Sequence, residues 1–216
     1  MAIRCRYNHF AWEIHTQREA GTIMILRVLL SALLSAIVMM AWAFGFRGLL
    51  PFADMVIHPL PDADVIVLDL KQTLTESGVY YYPMPPRPSD PPDVQAEARN
   101  LHVEGPLVQI HYRSEGAEPL GIDTLVMGFA HFFVSALLLG AVLAAAAPAL
   151  PSYGARAGVG ILIVLFSAVF QEGMNPIWFH HTWPFYFVQF GYDCGNAVLM
   201  GLVGAAVIKR GGTSKG

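Results

Sequence analysis

The stretch Val28–Phe46, VLLSALLSAIVMMAWAFGF, decides the fold. It runs nineteen residues without a charge, between Arg27 and Arg47. At about 1.5 Å per residue, a helix of this length covers the roughly 30 Å hydrocarbon core of a bilayer. Ala41-Trp42-Ala43 has the form of a cleavage site, which makes a removed signal peptide the competing reading. The run is longer than a usual signal core, so a retained anchor is expected. Met24 opens a compact start of its own, a basic residue and then apolar helix. We therefore expect residues 1–23 to be a cytoplasmic extension arising from a misplaced start codon.

Three further apolar blocks lie downstream. Leu125–Ala147 carries His131 as its one ionisable group and is closed by Pro148 and Pro151. Ala157–Phe170 is fourteen residues long, too short to cross, so its helix should continue through Gln171, Glu172 and Met174 until Pro176 stops it. The last block runs from Pro184, an expected first-turn proline after Thr182, to Ile208, with Lys209 and Arg210 behind it. Of all residues, 55% are hydrophobic and 13% charged. Soluble domains carry about 25% charged residues. Because the excess is gathered into blocks, the composition excludes a disordered chain, a disulfide scaffold and an ordinary soluble enzyme.

Charge sets the expected orientation. Segments 1–27, 148–157 and 209–216 together hold eight Lys/Arg against two Glu, whereas residues 51–122 hold four Lys/Arg against eleven Asp/Glu. Basic residues near span ends mark the cytoplasmic side. Four spans return both termini to one side, so both are expected in the cytoplasm and residues 51–122 outside. Cys5 and Cys194 would then lie at different depths, and no disulfide is expected.

The insertion reads as a small α+β unit. Asp62 is placed to cap a helix from Ala63 to Leu74, with Ile66, Val67, Leu70 and Leu74 along one stripe. Val65 and Leu68 fall off that stripe, which suits contact with a membrane surface. Val79–Tyr82 reads as a strand, MPPRPSDPP as an exposed loop, and Asp93–Asn100 as two helical turns. Leu107–Arg113 alternates, with Val108, Ile110 and Tyr112 on one face, as a half-buried strand does. The two strands should pair. A pair this small is marginal alone and needs a helix, a membrane face or a partner to pack on. The glycine-rich tail, 211–216, is expected to be disordered.

Polar groups inside the apolar blocks are the candidate site. Ionisable groups are costly in lipid and normally face a bundle interior. His131 and Asp193 fall at similar depth. Thr124, Gly128, His131 and Ser135 recur at helical spacing, as do Gln189, Asp193 and Asn196; Ser31, Ser35 and Trp42 form a weaker stripe. Glu172 ends the third block, and His180 and His181 follow in an aromatic loop with Trp178, Phe179 and Trp183. The expected cluster is therefore His131, Glu172, His180, His181, Gln189, Asp193 and Asn196. Three readings stay open for it: a structural network in which His131 and Asp193 satisfy each other, a metal site, and a path for protons or a small solute. No metal ligand and no cofactor is assigned. The sequence has no Walker loop, dinucleotide fingerprint, HExxH, CxxC or CxxCH, and no basic stripe for nucleic acid.

The strand Gly78–Pro83 (GVYYYP), the strand Gly105–Arg113 (GPLVQIHYR), the aromatic segment Ile177–His181 (IWFHH) and the proline and histidine at Pro51 and His58 carry a resemblance. Over about residues 24–210 the chain resembles an uncharacterised family of small four-helix bacterial inner-membrane proteins with an extracytoplasmic insertion after the first helix. The resemblance implies a fold and a membrane location, and no activity. The expected architecture is an all-α membrane bundle of four transmembrane helices with a small α+β extracytoplasmic insertion: 1–23 extension, 24–50 first span, 51–122 insertion, 123–210 spans two to four. The expected function is non-enzymatic, an accessory or interaction protein of the membrane. Its expected partners are the lipid bilayer, a membrane or envelope protein, or further copies of itself. The alternatives are a small oligomeric transporter or channel subunit and a membrane metal-binding protein.

Overall fold

The structure, a computed structural model, describes residues 2–209, with side chains from Gln17 onward. The expectations for the Cys5 thiol and the 211–216 tail lie outside the described residues. The described chain is mostly helical, with six helices and one two-stranded sheet: α1 (Ala2–Phe44), α2 (Ala63–Thr73), β1 (Gly78–Tyr82), α3 (Pro92–Glu104), β2 (Val108–Tyr112), α4 (Ile122–Ala146), α5 (Tyr153–Trp178) and α6 (Trp183–Val207). Four of the helices are long and apolar enough to cross a membrane, the first between Gln17 and Leu49 and the others being α4, α5 and α6.

Two units divide the chain. One comprises residues 1–57 and 122–216, the other residues 58–121. In the first, α1 packs against α4 and α6, and α6 against α5, while α4 touches α5 only lightly. The core lies where α1, α4 and α6 meet, built from Ala32, Met39, Ala136, Leu139, Leu143 and Met200. The serine stripe on α1 is the most deeply packed polar feature, with Ser31 1% and Ser35 2% exposed. Small residues there let the helix backbones approach closely. Glycine does the same between α5 and α6: a Cβ on Gly201 would stand 2.8 Å from the Ile161 backbone nitrogen. Outward, Leu30, Ile37, Met127, Leu138, Phe166 and Phe187 are exposed. Apolar surface on this scale is stable against lipid and not against water.

Two boundaries differ from the sequence reading. Pro176 does not stop the third span, since α5 continues to Trp178 with Pro176 inside its last turn. A proline there removes one backbone donor, and Phe179 N–H still closes onto the Asn175 carbonyl at 3.0 Å. Pro184 is the second residue of α6, after Trp183. Arg156, one of the basic residues counted above through segment 148–157, is 5% exposed. Its guanidinium donates to the Leu150 and Pro151 carbonyls at 3.0 Å each and to the Ala205 carbonyl at 3.4 Å. Arg27 donates to the Lys209 carbonyl at 3.0 Å. Two arginines thus satisfy carbonyls at the C-terminal end of α6, where the helix dipole favours cations.

In the second unit β1 and β2 pair antiparallel, Gly78 opposite Tyr112 and Tyr82 opposite Val108. α2 begins after Asp62, but the Asp62 side chain does not cap it. Asp62 sits in the left-handed region, φ 47°, and its carbonyl instead accepts from Val65 and Ile66. α3 is longer than the expected two turns and ends at Gly105, whose φ of 66° and ψ of −174° only glycine adopts readily. The alternation along β2 is not a clean one: Ile110 and Tyr112 are half-buried, but Val108 is exposed and Gln109 half-buried. Neither α2 nor α3 buries any residue.

Candidate functional site

The polar groups gather where α1 and α5 end and α6 begins. α1 finishes in a wider π-helical turn, Gly45–Leu49, which carries Arg47. Turns of this kind occur often at functional positions. The Arg47 guanidinium lies over the Tyr192 ring, 4.7 Å from its centre. It also acts electrostatically on Glu172 of α5 and Asp193 of α6. The Glu172 and Asp193 carboxyl groups are within hydrogen-bonding reach of each other. The Asn196 amide donates to Asp193 Oδ1 over a long 3.5 Å. The Trp42 indole N–H donates to the Tyr192 carbonyl at 3.0 Å, which ties α1 to α6 beside this group. Gly195 makes room for the tie, because a Cβ there would strike the Trp42 ring.

Below this layer a cavity of about 480 Å³ opens between α4 and α5, with α1 and α6 behind it. Its polar lining is His131, Ser135, Ser167, Gln171, Asp193 and Asn196. The apolar lining includes Leu138, Val142, Ile163 and Val164. Asn196 is 6% exposed, and its Oδ1 has no hydrogen-bond partner among the described residues.

The seven expected site residues are therefore divided. His131, Asp193 and Asn196 share the cavity, and Glu172 joins them through Asp193. His181 belongs to the interfacial loop, where its Nδ1 meets the Tyr186 hydroxyl at 2.6 Å and their rings stack. His180, exposed with φ 55°, and Gln189, half-buried one turn before Asp193, do not line the cavity. His131 and Asp193 do not satisfy each other among the described residues. Asp193 is engaged by Asn196 and Glu172, while the His131 ring packs on Phe132 at 5.6 Å. Among the described residues no three His, Cys, Asp or Glu side chains gather as a metal site would require.

Sequence reasoning missed Arg47 and Tyr192 as members of the site. Arg47 carried a signal. It is a cation at the end of the first span opposite Arg27, away from the other basic flanks, and a charge out of place by that rule needs a partner. The layer can hold carboxyl groups and an arginine together at a helix end. The cavity can accept a molecule with an apolar body. Comparison with protein-family profiles, with curated proteins and with solved structures gives no match, so the reading of function rests on this geometry.

Proposed function

We propose that this chain is a multi-pass protein of the bacterial inner membrane, with both termini in the cytoplasm and residues 51–122 outside. In this reading it works without catalysis, as an accessory protein that holds a membrane or envelope protein through its inserted unit. The observation that carries the reading is the open construction of α2 and α3, which bury no residue. Val65, Leu68 and Val103 leave apolar surface uncovered on these two helices. Such surface on a small unit marks an interaction site. Orientation is supported by Arg27, Arg156 and Lys209, which meet at the C-terminal end of α6 as a cytoplasmic face should.

The test is a photoreactive amino acid placed at Leu68 and, separately, at Val103 in living cells. The expected product is a discrete protein adduct from each position. Adducts with lipid alone, or none at either position, would refute the reading. A second reading, a small oligomeric transporter or channel subunit, is favoured by His131 and Asp193 lining one cavity. It requires that Asp193→Asn abolish a solute flux while leaving abundance normal.

A further inference from the structure

We infer that α4 of a second copy of this chain seats in the cavity between α4 and α5, so that two copies pair about a two-fold axis along the bilayer normal. The inference rests on the membrane reading above. It starts from polar groups that face outward. His131 of α4 and Ser167 and Gln171 of α5 line the cavity, and all three are exposed. His131 and Ser167 lie about 14 Å and about 17 Å from the nearer ends of their helices, at about 1.5 Å per residue. In a bilayer that places them within the hydrocarbon layer, where acyl chains offer neither donors nor acceptors. Ser135, beside them, donates back to the His131 carbonyl. The His131 ring packs on Phe132, and among the described residues no hydrogen bond holds the side chain of His131, Ser167 or Gln171.

The occupant must be an apolar body that carries a donor and an acceptor at that depth, and α4 itself is one. Met127, His131, Val134, Leu138 and Val142 recur at spacings of three or four residues and are all exposed. They fall within about 80° of the helix circumference at 3.6 residues per turn. This stripe is turned away from the buried Ala136, Leu139 and Leu143, and His131 is its one polar member. The opening beside it exists because α4 packs on α1 and only lightly on α5. Symmetry supplies the depth. Copies with one topology hold their α4 helices parallel, and a two-fold axis along the normal leaves depth unchanged. His131 of each copy then arrives level with His131, Ser167 and Gln171 of the other, since these three share one cavity. An imidazole can donate through one nitrogen and accept through the other, and a hydroxyl or carboxamide can do both. The contact is isologous, so each cavity is filled by the same helix that lines it. A different protein would need a polar group matched to that depth by its own sequence, and a lipid tail would leave all three groups bare. A polar residue in an apolar seam also fixes the register of the paired helices.

The test uses the full chain carrying Cys5→Ser and Cys194→Ser. In isolated membranes, oxidation of Leu138→Cys should give a disulfide-linked homodimer, whereas Val169→Cys, exposed on α5 away from the cavity, should not. In phosphatidylcholine vesicles, energy transfer between donor- and acceptor-labelled copies should fall on dilution with lipid. His131→Leu should move the midpoint about tenfold toward higher protein-to-lipid ratio, as loss of one to two interhelical hydrogen bonds does. His131→Gln keeps a donor and an acceptor and should stay near the unmodified protein. Dimer from Val169→Cys and none from Leu138→Cys would overturn the proposal, because the interface would lie elsewhere. So would Leu138→Cys adducts formed only with another protein, energy transfer absent at every ratio, or a His131→Leu protein that pairs as tightly as the unmodified one. Extraction with alkaline carbonate separates the two failures. A chain retained in the membrane yet monomeric overturns the pairing alone, and a chain released from it overturns the membrane reading as well.

Discussion

At the scale of single residues, the bonds that cross between helices matter most, because lipid gives helices no hydrophobic reason to associate. Trp42 joins α1 to α6 through one N–H donated to the Tyr192 carbonyl. Replacing it with Phe keeps the apolar volume and removes the donor. We expect Trp42→Phe to destabilise the detergent-solubilised protein by about 1 kcal/mol. An unchanged midpoint of thermal unfolding would show that the bond contributes nothing. Arg156 should matter more, since it is buried and donates to three carbonyls. Arg156→Leu is expected to cost about 2–3 kcal/mol, with Arg156→Lys intermediate because an ammonium lacks the planar fork. If Lys restores full stability, the guanidinium geometry is not what holds the end of α6.

At the scale of elements, α5 and α6 approach through Gly201, and no side chain fits between them. Gly201→Val is expected to lower stability by about 1–3 kcal/mol through overpacking, read as a fall of several degrees in the unfolding midpoint. A folded variant with an unchanged midpoint would mean that the two helices separate freely. The elements were also the most legible part of the sequence. α4 and α6 follow from long, mostly apolar runs between Gly/Pro-rich or basic flanks, and the strands from GVYYY and VQIHY. What escaped were features that a local pattern does not encode. Pro176 looked like a stop, but a proline in a last turn costs only one donor. Asp62 had the right side chain for a cap, but its left-handed backbone turns the carbonyl, not the carboxylate, toward the helix. The polar layer was half legible. Spacing put His131, Asp193 and Asn196 on inward faces. Which groups touch depends on how far each helix is displaced along its neighbours, and that is set by packing at Gly195, Gly201 and Ser31 rather than by the polar residues themselves.

At the scale of the whole molecule, orientation and the independence of the inserted unit are the matters to settle. Cysteine introduced at Ser89 should react with an impermeant maleimide added to intact spheroplasts, while one at Ser214 should react only after lysis. The reverse pattern would invert the proposed topology. Residues 52–122 expressed alone should be soluble and melt without a cooperative transition, because two marginal strands and two helices with no buried residue cannot offset the entropy of folding. A sharp, reversible melt of that fragment would show that it needs no covering surface.

The unbroken length of α1 has a mechanical consequence. Its backbone is helical from Ala2 to Phe44, 43 residues, or about 65 Å at about 1.5 Å per residue. That is roughly twice the thickness of the hydrocarbon layer. No proline interrupts it, so in the proposed membrane orientation the surplus turns would stand clear of the headgroups as a stiff post. In that orientation, anything that gripped the tip of the post would be held at a fixed distance from the bilayer, and a sideways pull on it would become a tilt of the same rod that carries Trp42 and Arg47 at its other end.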